Sequence, residues 1–356
     1  MFAIGIPHPA DRFSCHKCAQ PLAWLAVAVL ATAVGMPAAV AQDDKKADDS
    51  KVEEVELPTA DGMRLAVTFY PGKNKESVPV VLLHMHKGSR SEYNELAPYL
   101  QKLGHAVLVP DLRGHGGSTE RKGSKIPLKA ATMSRTEFTR MVEVDMPTLK
   151  AYLMAKNNAG ELNIEKLCVV GAEMGASVAL NWARIDWNMP PVGNKKNGQD
   201  IKAVVAISPE WSTPGIPLQT AMGSRNLTTR AWDPQLQLVF KNPDELNFNL
   251  PVTFDWRKEV SVLIAVGSGK SKAVGDAKRL NTMLKSFHPD LPPDRRKEKD
   301  LYYEEFNTSL EGTKMLGKGL VSKRLTLEAW IAGFIKARVE KRAFPWSERR
   351  DPYAGR

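Results

Sequence analysis

A single glutamate lies between two glycines at a point where an apolar strand is followed by a helix. Residues 171–175 read Gly-Ala-Glu-Met-Gly, directly after the apolar run Lys-Leu-Cys-Val-Val at 166–170. Glycine tolerates the backbone angles and close contacts of a sharp turn, so Gly171 and Gly175 predict a tight corner that presents Glu173. A carboxylate at such a corner could act as a nucleophile, transfer a proton or bind a ligand.

Two histidines follow another apolar strand. His84 and His86 come directly after residues 78–83, Val-Pro-Val-Val-Leu-Leu. Together with Glu173 they would make a possible metal-ligand set of two imidazoles and one carboxylate. The H-x-H spacing alone is unspecific, however, and we predict neither a metal nor a cofactor.

Strand and helix patterns alternate along most of the chain, which predicts an α/β fold. Strands are expected at 52–57, 63–70, 78–83, 105–110, 166–170, 201–207, 260–266 and 301–306. Helices are expected directly after the corner at 171–175 and at 91–103, 135–156, 272–287 and 326–342. The first two strands flank an Asp-Gly turn and predict an N-terminal hairpin. The remainder predicts a doubly wound, mostly parallel sheet of about eight strands, with sites at the carboxyl ends of its strands. A proline-rich insertion at about 211–255 is expected to cover the site.

The N-terminal region has the pattern of an export signal. Arg12 and Lys17 precede a charge-free apolar stretch, and Ala39-Val40-Ala41 has the form of a cleavage site. We therefore predict a signal peptide at 1–41, export to the periplasm or medium, and no membrane span after cleavage. An uncleaved N-terminal anchor is the alternative. The polar residues 42–51 predict a disordered tether, 52–342 the folded domain, and 343–356 a basic tail.

The charge distribution argues against a nucleic-acid reader. The formal net charge is +10, and the densest basic stretches are 295–297 and 336–350. Acidic residues interleave with both regions, and no aromatic stacking motif accompanies them. The simplest interpretation is a solvated basic surface, with weak attraction to anionic envelope polymers or membranes as the alternative. The sequence leaves the oligomeric state open.

Three motifs in order carry a family resemblance. Residues 82–90, Leu-Leu-His-Met-His-Lys-Gly-Ser-Arg, resemble the His-Gly loop after the third strand of α/β hydrolases. Residues 110–118, Pro-Asp-Leu-Arg-Gly-His-Gly-Gly-Ser, are similar to their D-x-R-G-x-G-x-S turn, and 171–175 occupies the place of their nucleophile elbow. The chain is identified from these motifs as a member of the dienelactone hydrolase and serine-aminopeptidase-like branch, and an α/β-hydrolase fold is expected.

The resemblance implies a serine nucleophile, an acid and a histidine, yet each position holds another residue. Glu173 replaces the serine, Lys270 stands where the acid is expected, and Glu311 stands where the histidine is expected. The last histidine of the chain, His288, precedes the final strand and cannot take the base's place. The resemblance also implies that His84 organises its loop and that backbone amides near His86 and at Met174 form the oxyanion hole.

These substitutions predict loss of serine-hydrolase catalysis. The simplest structural account is a salt-bridged plug in which Lys270 compensates two carboxylates. We therefore expect a binding protein for a small molecule, an envelope component or a protein partner. The alternative is an ester or related hydrolase that uses carboxylates or a metal around the retained oxyanion hole.

Overall fold

The structure, a computed structural model, describes residues 51–189, 191, 195–223 and 255–349. All of these residues belong to one compact unit, Ala47–Arg356. The predicted signal segment, nearly all of the tether and residues 224–254 of the predicted insertion lie outside the described residues. In the part that is described, no helix is long and apolar enough to cross a membrane.

An eight-stranded sheet forms the centre of the domain, in the order β1-β2-β4-β3-β5-β6-β7-β8. The strands are β1 Glu53–Pro58, β2 Arg64–Tyr70, β3 Pro79–Leu83, β4 Ala106–Pro110, β5 Leu167–Ala172, β6 Ile201–Ile207, β7 Ser261–Gly267 and β8 Leu301–Phe306. β2 pairs antiparallel with both β1 and β4, and all other pairs are parallel. The predicted mostly parallel sheet with an N-terminal hairpin is confirmed.

Helices cover both faces of the sheet, which explains why its central strands are continuously apolar. They are α1 Leu96–Lys102, α2 Arg135–Arg140, α3 Met146–Asn158, α4 Met174–Asn188, α5 Leu218–Met222, α6 Trp256–Glu259, α7 Ser271–Lys285 and α8 Leu327–Ile335. Successive strand residues point to opposite faces, so Val80 and Leu82 pack in one core cluster and Val81 and Leu83 in the other. Both faces of the sheet are therefore buried.

Three predicted helices differ from the observed ones. The segment predicted at 91–103 consists of a 3-10 helix at Arg90–Tyr93 and the separate helix α1. The segment predicted at 135–156 consists of α2, a π-helical turn at Met141–Asp145, and α3. The segment predicted at 326–342 consists of α8 and a second π-helical turn at Lys336–Glu340. A short hairpin before α8, β9 Val321–Ser322 and β10 Leu325–Thr326, was not predicted because each strand has only two residues.

The predicted tail is attached to the domain through residue 349. Arg349 is buried and forms ion pairs with Glu165 at 2.7 Å and Asp200 at 2.5 Å. Asp200 is itself fully buried and pairs with Lys150 at 2.6 Å. Sequence reasoning missed this cluster because its members are far apart in the chain.

The turn after β4 is fixed by its own polar groups. Asp111 accepts hydrogen bonds from the amides of Arg90 at 2.6 Å and Gly117 at 2.8 Å, and the Ser118 hydroxyl donates to the Asp111 carbonyl at 2.7 Å. Leu112 donates its amide to His84 Nε2 at 2.9 Å. The D-x-R-G turn therefore holds the histidine loop after β3 against the sheet.

Candidate active site

The elbow has the geometry that its two glycines predict. β5 ends at Ala172, Glu173 has φ 50° and ψ −111°, and α4 begins at Met174. A Cβ on Gly171 would lie 2.2 Å from the Gly175 carbonyl oxygen, and a Cβ on Gly175 would lie 2.2 Å from the Leu83 carbonyl oxygen. Any side chain at either position would collide with backbone, so both glycines are required by packing.

Glu173 is half-buried among groups of its own charge. Burial raises the pKa of its carboxyl group to about 7, and the carboxylates of Glu210, Glu311 and Glu92 act in the same direction. Lys314 opposes them. Glu173 is thus protonated in a substantial fraction of molecules at neutral pH, when it can donate as well as accept a hydrogen bond.

The residue at the acid position does not join this group. Lys270 is exposed, precedes the first turn of α7, and forms no ion pair within the described residues. The salt-bridged plug predicted from Lys270 and two carboxylates is therefore not formed, and that prediction was wrong. The loop after β7 packs against the loop after β8, where the Gly269 amide donates to the Thr308 carbonyl at 2.8 Å.

The residue at the base position does lie near the elbow. Glu311 is half-buried, and its negative charge contributes to the raised pKa of Glu173. A Cβ on the next residue, Gly312, would lie 2.9 Å from Glu173 Oε1. The Gly312 amide donates to Ser208 Oγ at 3.0 Å, which ties the loop after β8 to the end of β6.

His84 is fully engaged in its loop. Its Nδ1 lies 2.7 Å from the Met85 carbonyl oxygen, and its Nε2 accepts the Leu112 amide. These bonds assign the neutral ring with its proton on Nδ1, and burial lowers the pKa of His84 to about 4. A histidine with both nitrogens occupied cannot relay a proton. The two bonds hold His84 between Met85 and the turn after β4.

His86 and Met174 mark the predicted oxyanion side. His86 is exposed, and its Nε2 lies 3.2 Å from the Ala130 carbonyl oxygen. The Met174 amide is the first of α4, and the first amides of a helix have no acceptor within the helix. Beside them the Met85 amide donates to Glu92 Oε2 at 3.1 Å. A carboxylate therefore stands next to the place where an oxyanion would form.

Glu210 and Glu92 were not predicted as site residues. Glu210 follows β6, and its position is fixed through Ser177, whose hydroxyl donates to the Glu210 carbonyl at 3.0 Å and lies 2.8 Å from Thr213 Oγ1. The available signal was the strand end, since sites of parallel sheets lie at the carboxyl ends of strands. Among the residues with described positions, no group of three His, Cys, Asp or Glu could hold a metal ion.

The arrangement defines the class of protein: a mostly parallel α/β sheet with a nucleophile-elbow turn after β5. The sequence profile of the alpha/beta hydrolase fold family matches residues 78–263, more than half of the chain. The chain belongs to this family.

Two relatives of known sequence match part of the chain. An uncharacterized protein of Mycobacterium tuberculosis is 42% identical over 131 residues, and the sn-1-specific diacylglycerol lipase ABHD11 of Danio rerio is 28% identical over 128 residues. Each match covers 36% of this chain, and 40% and 33% of the two relatives respectively. The chain thus matches well under half of their lengths.

Among solved structures, a dienelactone hydrolase from Anabaena variabilis is similar with a TM-score of 0.48. It is 13% identical, and the match covers 82% of this chain and 100% of that structure.

Proposed function

We propose that this protein is an exported, non-catalytic member of the alpha/beta hydrolase family that uses its elbow to bind a ligand. The observation that carries the proposal is the exchange of a nucleophile, acid and base for Glu173, Lys270 and Glu311 on an elbow whose backbone is intact. The site keeps its shape while its proton-transfer groups are replaced.

The positions of the side chains argue against turnover by the serine mechanism. An attack by Glu173 on an ester would leave an acyl-enzyme anhydride, and an activated water would be needed to release it. His84 uses both ring nitrogens in its loop. Lys270 is exposed, and Glu311 adds negative charge that would repel a developing oxyanion.

The charge at the elbow favours one kind of ligand. Three carboxylates raise the pKa of Glu173, and one lysine lowers it. A small molecule or an envelope component with ammonium or hydroxyl groups would meet favourable electrostatics there. An anionic ester would not.

One observation favours the alternative of a carboxylate-dependent hydrolase. A pKa of about 7 for Glu173 is where a general acid or base works best at neutral pH. Strongly shifted pKa values also concentrate at functional sites. In this alternative Glu173 transfers a proton between water and substrate.

Hydrolysis of a panel of short-chain aryl esters separates the two functions. The purified mature protein is compared with Glu173→Gln, Glu173→Ser and the exposed control Glu120→Gln, each with and without a chelator. We expect background rates for every variant. Glu173→Ser should also be inactive, because position 311 holds a glutamate where the serine mechanism needs a histidine base. Turnover that is lost in Glu173→Gln but kept in Glu120→Gln would establish the alternative.

Export has its own test. If the signal at 1–41 is cleaved, the N-terminus of the protein recovered from its native cell envelope or medium will be Gln42. Recovery of the full-length chain in the membrane fraction would instead support the N-terminal anchor.

A further inference from the structure

A second site lies at the opposite end of the sheet from the elbow. A cavity of about 760 Å³ opens at the amino ends of β7 and β8, between the C-terminal end of α7, the 3-10 helix Pro293–Glu298 and the π-helical turn after α8. Small-molecule sites have volumes of roughly 300–1,000 Å³. The cavity therefore has the size of a ligand site.

The two basic stretches of the sequence converge on this cavity. Arg295 and Lys297 line it from the first stretch, and Arg338 and Arg342 line it from the second. Lys258, Lys285 and Lys299 also line it, which gives seven basic side chains against the three acidic ones of Asp290, Glu298 and Asp300. Folding concentrates positive charge that the sequence alone displays as two separate, acid-interleaved stretches.

Most acidic residues of the cavity wall form ion pairs, whereas several of its lysines form none within the described residues. Glu298 pairs with Arg295, and Asp300 pairs with Arg342 and lies 3.7 Å from Arg338. The exposed amines of Lys258, Lys285 and Lys297 form no ion pair within the described parts of the chain. A concave wall with unpaired cations creates a strong local positive potential.

Two buried nitrogens of the wall are also without partners. Arg338 is only 6% exposed; its Nη1 and Nη2 donate to the carbonyls of Lys299 at 2.8 Å and Lys297 at 2.6 Å, but its Nε has no acceptor among the described residues. His288 Nε2 is likewise buried and unpaired there. Buried polar atoms are normally hydrogen-bonded, so each unpaired one calls for an explanation.

We propose that this cavity binds a small polyanion that carries two or more phosphate groups. Lys and Arg side chains recognise phosphate oxygens through charge-assisted hydrogen bonds. Several separate cations in a volume this large fit linked phosphates better than a single oxyanion. The concave shape favours a small molecule over a flat membrane surface. No residue of the elbow takes part, so the proposal stands apart from the elbow's function.

Calorimetric titration of the mature protein with tripolyphosphate tests the proposal, with inorganic phosphate and phosphatidylglycerol vesicles as comparison arms. The variant Lys285→Ala/Lys297→Ala removes two unpaired amines of the wall. Lys122→Ala/Lys125→Ala removes the same charge from an exposed turn outside the cavity. Circular dichroism checks that both variants fold.

We expect saturable one-to-one binding of tripolyphosphate and weaker binding of inorganic phosphate. The cavity variant should lose roughly tenfold in affinity for each amine removed, and the control variant little. Equal losses in both variants would reduce the effect to net charge and overturn the proposal. Binding to vesicles without binding to tripolyphosphate would overturn it in favour of a membrane-facing surface.

Discussion

This domain holds two clusters of charged side chains that differ in how their carboxylates are paired. Around Arg113, which is fully buried, Asp145 binds through both carboxylate oxygens at 2.6 and 2.9 Å, with Asp61 at 2.8 Å and Glu137 at 3.0 Å. Around Glu173, the nearby charges are mostly other glutamates. The first cluster is paired, and the second is not.

The pKa values in the two clusters follow both burial and pairing. Burial would raise the pKa of Asp61, but hydrogen bonds from Arg113 and Thr59 lower it to about 2. At the fully buried Asp145, burial outweighs the pairing with Arg113, and the pKa rises to about 6. At the elbow burial raises the pKa of Glu173 to about 7, and neighbouring carboxylates reinforce the shift. Removing one partner from a buried pair leaves an uncompensated charge and is strongly destabilising. An unpaired cluster already carries that cost, and such clusters concentrate at functional sites.

The largest expected effect is on the paired cluster. Arg113→Met should lower the free energy of unfolding by about 3–5 kcal/mol, because the fully buried Asp145 would lose its ion-pair partner. Glu137 would keep its ion pairs with Arg121 and Arg140. Urea unfolding measures the loss. Arg64→Met, which removes an exposed arginine with ion pairs of 3.6 and 3.9 Å, should change stability by less than about 1 kcal/mol.

Arg113→Lys separates charge from geometry. It keeps the positive charge but cannot form the two-pronged contact with Asp145, so an intermediate loss is expected. If Arg113→Met were no more destabilising than Arg64→Met, the cluster would not be the structural anchor that its burial indicates.

The second-largest effect is a pH-dependent change in the free energy of unfolding, caused by Glu173 in the unpaired cluster. The folded-state pKa of Glu173 is raised from 4.5 to about 7, so the folded protein holds a proton that the unfolded chain releases. Stability from this group is therefore present below about pH 4.5 and is lost as the pH rises through 7. Glu173→Gln, which does not titrate, should gain about 1 kcal/mol over the parent at pH 8, a value limited by solvent screening of the half-exposed group.

Thermal unfolding at pH 5 and pH 8 measures this change. The Tm difference between Glu173→Gln and the parent should be small at pH 5 and about 2–4 °C at pH 8. The exposed control Glu120→Gln should show no such dependence. A constant difference at both pH values would mean that Glu173 is ionised normally and that the cluster is not strained.

The fold was largely predictable because its signals are local. Continuous apolar runs defined the central strands, and β6 and β8 have the predicted bounds of 201–207 and 301–306. The elbow was predictable for the same reason, since Gly171 and Gly175 specify a close backbone approach. The helices at 91–103, 135–156 and 326–342 were also predicted from local patterns, yet each is interrupted in the structure.

The composition of the site was predictable only in part, because it depends on where loops point after the strands end. The motif spacing placed Lys270 and Glu311 together, yet only Glu311 lies near Glu173. Glu210 and Glu92 enter from loops that carry no motif. Tertiary packing also brings Arg295 and Lys297 together with Arg338 and Arg342 around one cavity, which the sequence could not show.

The smallest effect is on the pKa of Glu173. It distinguishes the predicted plug, which contains Lys270, from the observed site, in which only Glu311 lies near Glu173. Glu311→Gln removes a like charge near Glu173, so the pKa of Glu173 should fall by less than about one unit. Lys270→Ala should leave that pKa unchanged, because Lys270 is exposed and unpaired within the described residues. Carboxyl ¹³C NMR titration, with the Glu173 signal assigned by its loss in Glu173→Gln, follows both variants. If Lys270→Ala raised the pKa as much as Glu311→Gln lowered it, the lysine would belong to the site in solution, and the plug predicted from the sequence would be the correct description.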